Sequence, residues 1–280
     1  MPESKRRAGS RRAARARKPS RVAHPPRPAG LVAVDVGNSD TVVGLFAGRE
    51  LAGYWRLTSR AATADELGLH LEALSRAHRW PRPLGAVLCS VVPALTVPWA
   101  RALEHMIGAP PVEVTAASVP SLPIRYHDRT AVGADRLANA IAVRVLYGTP
   151  AIVVDLGTAT TFDCISRQGA YLGGAIAPGV ASSAEELFRR AARLPRVELR
   201  RPARVLGRTT EESLQAGVLW GAAGQVDALV RRLALEMKGT PAVIATGGLA
   251  AIVAPECETI NRVDEALTLK GMRLIWEDSR

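Results

Sequence analysis

Two stretches of this sequence, Leu31–Phe46 (LVAVDVGNSDTVVGLF) and Ala151–Ile165 (AIVVDLGTATTFDCI), share one design. Each opens as a β-branched apolar run, sets an Asp and a Gly two positions apart, crosses small polar residues and returns to an apolar run. Such a pattern reads as a buried strand, a tight turn and a second strand. Asp35 and Asp155 begin equivalent turns 120 residues apart. Two equivalent openings in 280 residues predict a duplicated α/β unit, with a boundary near Tyr147–Pro150 and halves at 31–148 and 149–280. Two such halves leave a cleft between them, and both Asp-x-Gly turns are expected to line it.

The remaining pattern fits that plan. LAGYWRL (51–57) reads as a third strand, and Thr63–His78 as a helix with Thr63 and Glu66 forming a capping box. Gly85–Val92 reads as a buried strand, 95–108 as a helix after its proline, and PVEVT (111–115) as a short strand. The prolines of 120–132 predict a loop, and Gly133–Leu146 a helix. In the second half, a turn at Gln168–Gly169 leads to a strand over 170–177. Helices are expected at Ser182–Ala192 and Thr209–Lys238, a strand within AVIATGGLA (242–250) that runs into its glycines, and a closing helix over 269–276.

The net charge of +11 suggests nucleic acid until it is located. Ten Lys and Arg against Glu3 alone fall within residues 1–30, which leaves 31–280 close to neutral. That Arg-, Ala-, Pro- and Ser-rich stretch has no aromatic, so it is expected to be disordered, a dispensable extension. Nucleic acid is not an expected partner, except through this tail. No long apolar run predicts a membrane span. Cys89, Cys164 and Cys257 form no C-x-x-C pair, which argues against a disulfide framework or zinc site and fits a reducing cytoplasm.

The chemistry of the turns follows from their residue types. Gly37 allows close backbone approach, and successive N–H groups in such a turn form a concave anion site. Asn38 and Ser39 add neutral donors. Asp35 repels a phosphate, so its useful role is to hold Mg²⁺, directly or through water. An ordinary hairpin accounts for one such turn; the second copy at Asp155, Gly157 and Thr158 favours a nucleotide cleft. Ala245–Ala250 (ATGGLA) supplies a third glycine turn, against whose bare backbone a base or ribose can lie. In VGADRLANAIA (132–142), Asp135 is either a dipole-stabilising acid in a helix's first turn or a base that deprotonates a substrate hydroxyl. Arg136 beside it suits a substrate carboxylate.

Taken in order, DVGNSDTVVGLF, SVVP, VGADRLANA, VVDLGTATTFD, YLGGAIAPG and ATGGLA resemble type III pantothenate kinase from Leu31 to the C-terminus. The resemblance implies duplicated ribonuclease H-like domains of the acetate and sugar kinase, Hsp70 and actin superfamily, with an interdomain nucleotide cleft. It implies ATP-dependent phosphorylation of pantothenate, the first step of coenzyme A biosynthesis, by a homodimer that uses Mg²⁺ and a monovalent cation, K⁺ or NH4⁺. By motif, Asp35, Val36, Gly37, Asn38, Ser39, Asp40, Thr41, Val42 and Thr158 would bind ATP. Tyr126, Gly133, Ala134, Asp135, Arg136 and Thr210 would bind pantothenate, with Asp135 as proton acceptor. Asp155 would hold the monovalent cation and Asp35 the Mg²⁺. Asp128-Arg129 departs from the family's frequent Asn-Pro. Two other readings share the fold: a nucleotide-binding regulatory protein, and a related kinase with another small hydroxylated substrate.

Overall fold

The computed structural model describes residues 30–280, so the expectations about the basic tail lie outside the described residues. Two five-stranded sheets carry the fold. In the first, β1 (Gly30–Val36), β2 (Asp40–Ala47) and β3 (Glu50–Thr58) form an antiparallel meander. Then β4 (Pro83–Ser90) pairs parallel with β1, and β5 (Val112–Glu113) with β4. In the second, β6 (Ala151–Leu156), β7 (Ala159–Ile165) and β8 (Tyr171–Pro178) repeat the meander. There β9 (Ala242–Thr246) pairs parallel with β6, and β10 (Arg262–Val263) with β9. Each sheet thus has its third, second, first, fourth and fifth strand in that order, and the duplication legible in the two Asp-x-Gly turns is a duplication of topology.

Seven helices fill the described chain: α1 (Ala64–Ala77), α2 (Pro93–Ile107), α3 (Ala134–Leu146), α4 (Val180–Arg190), α5 (Thr210–Glu236), α6 (Ala250–Val253) and α7 (Leu267–Asp278). The α1 cap is the expected box: Glu66 N–H donates to Thr63 Oγ1 and Thr63 N–H to Glu66 Oε2. Helix α2 corrects the expectation that it starts after Pro98. It starts at Pro93, where a proline's missing N–H costs nothing, and carries Pro98 inside. Burial of Leu95, Trp99 and Leu103 along one face outweighs the lost bond. Helix α4 starts two residues earlier than expected, straight after Gly179, and α7 is longer at both ends. The two-residue β10 has no pattern long enough to announce it.

The strand period divides each sheet between two cores. On β1, Val32, Val34 and Val36 face outward with Leu67, Leu71, Trp99 and Leu103 of α1 and α2, while Leu31 and Ala33 face inward. On β6, Ile152, Val154 and Leu156 face outward with Leu219, Val226 and Val230 of α5, while Ala151 and Val153 face inward. The shared inner core contains α3 and α7. Between two sheets α3 has almost no free side: Ala134 and every residue from Arg136 to Val143 are buried. It touches α7 backbone to backbone, since a Cβ on Gly271 would fall 2.0 Å from the Ala138 carbonyl oxygen.

Candidate active site

The inward rows of β1 and β6 read Leu31, Ala33, Asp35 and Ala151, Val153, Asp155. Both end in an acid that points into the layer holding α3. Asp135 stands in the first turn of α3, and its Oδ1 accepts from the Arg136 N–H at 2.8 Å. A Cβ on Gly133 would come within 2.7 Å of that oxygen, so the glycine before the helix leaves room for the acid to fold back. The three carboxylates are each partly open, while the strand residues on either side of Asp35 and Asp155 are buried. They act on one another. Burial first, then the Asp135 charge, pushes Asp35 up to about 7, against a bond to Cys89 and the Arg56 charge. Burial and then Asp135 likewise push Asp155 up to about 7, and burial raises Asp135. Water reaching each half-buried group tempers that displacement.

The two hairpin tips meet above the acids. In the first, Gly37 N–H donates to the Asp40 carbonyl at 3.0 Å, leaving Asn38 and Ser39 exposed. In the second, Gly157 N–H donates to the Ala159 carbonyl at 3.1 Å, leaving Thr158 exposed. Ser39 Oγ lies 2.9 Å from Thr158 Oγ1. The third glycine turn closes beneath. Gly247 has φ +93°, and a Cβ there would fall 2.5 Å from Asp155 Oδ1. Gly248 faces the Arg56 guanidinium, which also donates to Asp40 Oδ2 at 3.1 Å.

Other expected residues are placed differently. Val36 points into the outer core, and the Thr41 hydroxyl is buried against Ser59 Oγ at 2.8 Å, so only their backbone faces the turn. Val42 pairs with Asp35 and packs against the inner core. Tyr126 is 40% exposed and lies over Gly173, with its ring 6.4 Å from that of Tyr171. Asp128 caps a 3-10 turn at Arg129–Ala131, its Oδ1 accepting from the Thr130 N–H at 2.8 Å, and so supplies order where the proline is missing. Thr210 is exposed at the start of α5, and none of the contacts around the three acids reaches it.

The sequence reading did not single out three contributors. Asn139, one turn after Asp135, donates from Nδ2 to Asp155 Oδ2 at 3.1 Å and accepts from Thr268 Oγ1 at 2.9 Å. Its i, i+4 spacing from Asp135 was the available signal. Asp163 is fully buried on β7, opposite Val153 and therefore on the inward face. Its Oδ1 accepts from Arg136 Nε at 2.7 Å and from Tyr171 OH at 2.9 Å. Burial pushes its carboxyl up to about 6 against those two partners. Thr246 ends β9 in register with Asp155, and its buried hydroxyl has no hydrogen-bond partner among the described residues.

Residues 31–232 match the type III pantothenate kinase family. A relative named type III pantothenate kinase from Moorella thermoacetica is 49% identical over 88% of this chain and 98% of its own. One of the same name from Geobacter sulfurreducens is 44% identical over 89% and 99%. The chain belongs to the type III pantothenate kinase family. Solved structures agree on the fold. The chain is similar to the activator of 2-hydroxyisocaproyl-CoA dehydratase from Clostridium difficile with bound ADPNP, with TM-score 0.53, 13% identity, and 89% and 96% of the chains covered. It is also similar to MreB 5 of Spiroplasma citri bound to AMPPNP, with TM-score 0.51, 12% identity, and 90% and 97% covered. At such identities the likeness concerns the actin-like ATPase fold alone.

Among the described residues, no three His, Cys, Asp or Glu side chains converge to coordinate one metal ion by themselves. The donor set suits Mg²⁺, which takes one or two carboxylates and fills its shell with water and phosphate oxygens. Around Asp155, the unpartnered Thr246 hydroxyl adds a neutral oxygen of the kind a monovalent cation takes. No helix of the described chain is long and apolar enough to cross a membrane.

Proposed function

We propose that the chain transfers the γ-phosphoryl group of ATP to the primary hydroxyl of pantothenate, giving 4′-phosphopantothenate, the first step of coenzyme A biosynthesis. Membership of the type III family carries this reading. The convergence of Asp35, Asp135 and Asp155 at the meeting of two hairpins gives it a mechanism.

Phosphoryl transfer is mostly a matter of positioning and charge neutralisation. The N–H groups of the Gly37 and Gly157 turns, with the Ser39 and Thr158 hydroxyls, would hold the triphosphate. The Gly247–Gly248 turn would take the nucleoside. Asp135 accepts the proton from the pantothenate hydroxyl as that oxygen bonds to the γ-phosphorus and the bond to ADP breaks. Its raised carboxyl is well suited to this, because a base closer to neutrality takes a proton more readily. Arg136 and Tyr126 would orient the acceptor. Asp35 would hold Mg²⁺, directly or through water, and the metal's charge would neutralise the phosphate oxygens. Asp155 with Thr246 would hold the K⁺ or NH4⁺ that offsets charge beside them.

A homodimer is part of the same proposal. Ile176, Leu187, Val205 and Leu206 are exposed apolar residues near or following α4, where a second copy would cover them. Thr210 at the nearby start of α5 would then serve the acceptor site from the dimer. The division at 148/149 and a cytoplasmic location also belong to this reading. Purified protein given ATP, Mg²⁺, K⁺ and pantothenate is expected to form 4′-phosphopantothenate. Folded protein that forms none refutes the assignment, and sedimentation as a monomer refutes the dimer.

A further inference from the structure

Arg136 occupies the first turn of α3 and is only 8% exposed, a costly place for a guanidinium unless it is paired. Its partner is Asp163, but the pairing is one-sided. Only Nε donates, at 2.7 Å, to Asp163 Oδ1. Among the described residues Nη1 and Nη2 have no hydrogen-bond partner, yet they are not among the buried polar atoms that lack one, so the residue's remaining exposure includes them. Asp163 Oδ2 is buried with no hydrogen-bond partner among the described residues. A pair built only for stability would engage both oxygens through the fork of two parallel N–H bonds that arginine offers. Here that option is forgone and the end-on fork stays open.

The carboxylate that holds Nε is itself fixed. Tyr171 OH donates to the same Oδ1 at 2.9 Å, and Arg136 lies 5.8 Å from the Tyr171 ring centre. Tyr171 is tied by backbone to the loop before α3: its N–H donates to the Pro123 carbonyl at 2.9 Å, and its carbonyl accepts from the Arg125 N–H at 2.9 Å. The next residue of that loop, Tyr126, lies over Gly173, two residues beyond Tyr171 on β8. Loop, β8, Asp163 and Arg136 are thus one connected wall beside Asp135.

We propose that Asp163 is the positioning residue for Arg136: by gripping Nε it aims the free Nη1/Nη2 edge at the carboxylate of the acceptor, and so sets selectivity for an acid. The inference rests on pantothenate being the acceptor. Asp163 touches neither substrate nor nucleotide in this arrangement; it acts through the guanidinium.

The test compares two acceptors in the full-length protein: pantothenate, and the same molecule with its carboxylate reduced to a primary alcohol. In Asp163→Asn, KM for pantothenate is expected to rise about 10- to 100-fold, the range for a weakened charge-assisted contact, with kcat within about threefold and KM for ATP unchanged. On the alcohol, variant and wild type are expected to behave alike. Equal losses on both acceptors, or a fall in kcat at unchanged KM, would overturn the proposal in favour of a purely structural ion pair. If Asp163→Asn does not fold, Asp163→Glu keeps the charge and moves it by one methylene. It is expected to raise KM for the acid alone, and a change common to both acceptors again overturns the idea. Wild-type protein that phosphorylates neither compound would overturn the acceptor assignment itself, a result distinct from loss of discrimination in the variant.

Discussion

Ser39 and Thr158 are separated by 119 positions in sequence and by 2.9 Å between their hydroxyl oxygens. Each is the exposed tip of an Asp-x-Gly hairpin, so this contact is where the two repeats touch above the acids. Neither hydroxyl is needed for the fold, because both tips are solvated and each turn is closed by its own backbone bond.

Ser39→Ala and Thr158→Ala are therefore expected to change stability by less than about 0.5 kcal/mol. Each should raise KM for ATP, by roughly tenfold if one phosphate contact of about 1.5 kcal/mol is lost. Thermal melting and initial rates at varied ATP check both halves of the statement. An unchanged KM in both variants would remove these hydroxyls from the phosphate site.

Asp135→Asn keeps the size of the side chain and removes its capacity to take a proton. Turnover is expected to fall by roughly 10²–10⁴, the range for a positioned base, while nucleotide affinity is preserved. Calorimetric titration with a non-hydrolysable ATP analogue, run beside the kinetic assay, separates the two effects.

Gly247→Ala adds a Cβ at φ +93°, 2.5 Å from Asp155 Oδ1 and 2.7 Å from the Leu156 backbone. The left-handed backbone alone costs an L-residue about 1–2 kcal/mol, and the collision displaces Asp155. The variant is expected to melt lower and to lose its dependence on K⁺. Gly217→Ala, with open space around the added methyl, is the matching control and should be neutral or slightly stabilising.

Asp35 and Asp155 bind a proton more tightly in the folded chain, at about 7, than at their ordinary 3.8. The stability they contribute is present in full below pH 3.8 and is lost as pH rises through about 7. Ligand-free protein is thus expected to lose stability between about pH 4 and 7 relative to an Asp35→Asn/Asp155→Asn double variant. The slope is below about 1.4 kcal/mol per pH unit for each carboxyl, because solvent reaches both. Saturating Mg²⁺ and ATP should flatten the difference, since cations then replace protons as counter-charge. Melting temperatures across that range check the sign.

Much of the site was legible in the sequence because turn chemistry is local. Asp35, Gly37, Ser39 and Thr158 announce their hairpins by residue type, and Thr63 with Glu66 announces a cap. Asp163 was not legible, since an acid closing an apolar run reads as the end of a strand until its pairing with Val153 puts it inside. Pro98 misled because a proline breaks a helix only when packing does not outweigh the lost bond, and Trp99 and Leu103 lie in the core beside it.

The sequence by itself determined that the chain folds as a repeated strand–turn–strand unit with an acid at each turn, because alternation, glycine placement and turn residues act over a few positions. Tertiary structure alone decided that both acids point at Asp135 and that Asp163 grips Arg136. The inward faces of two separate sheets are defined only once α3 is packed between them.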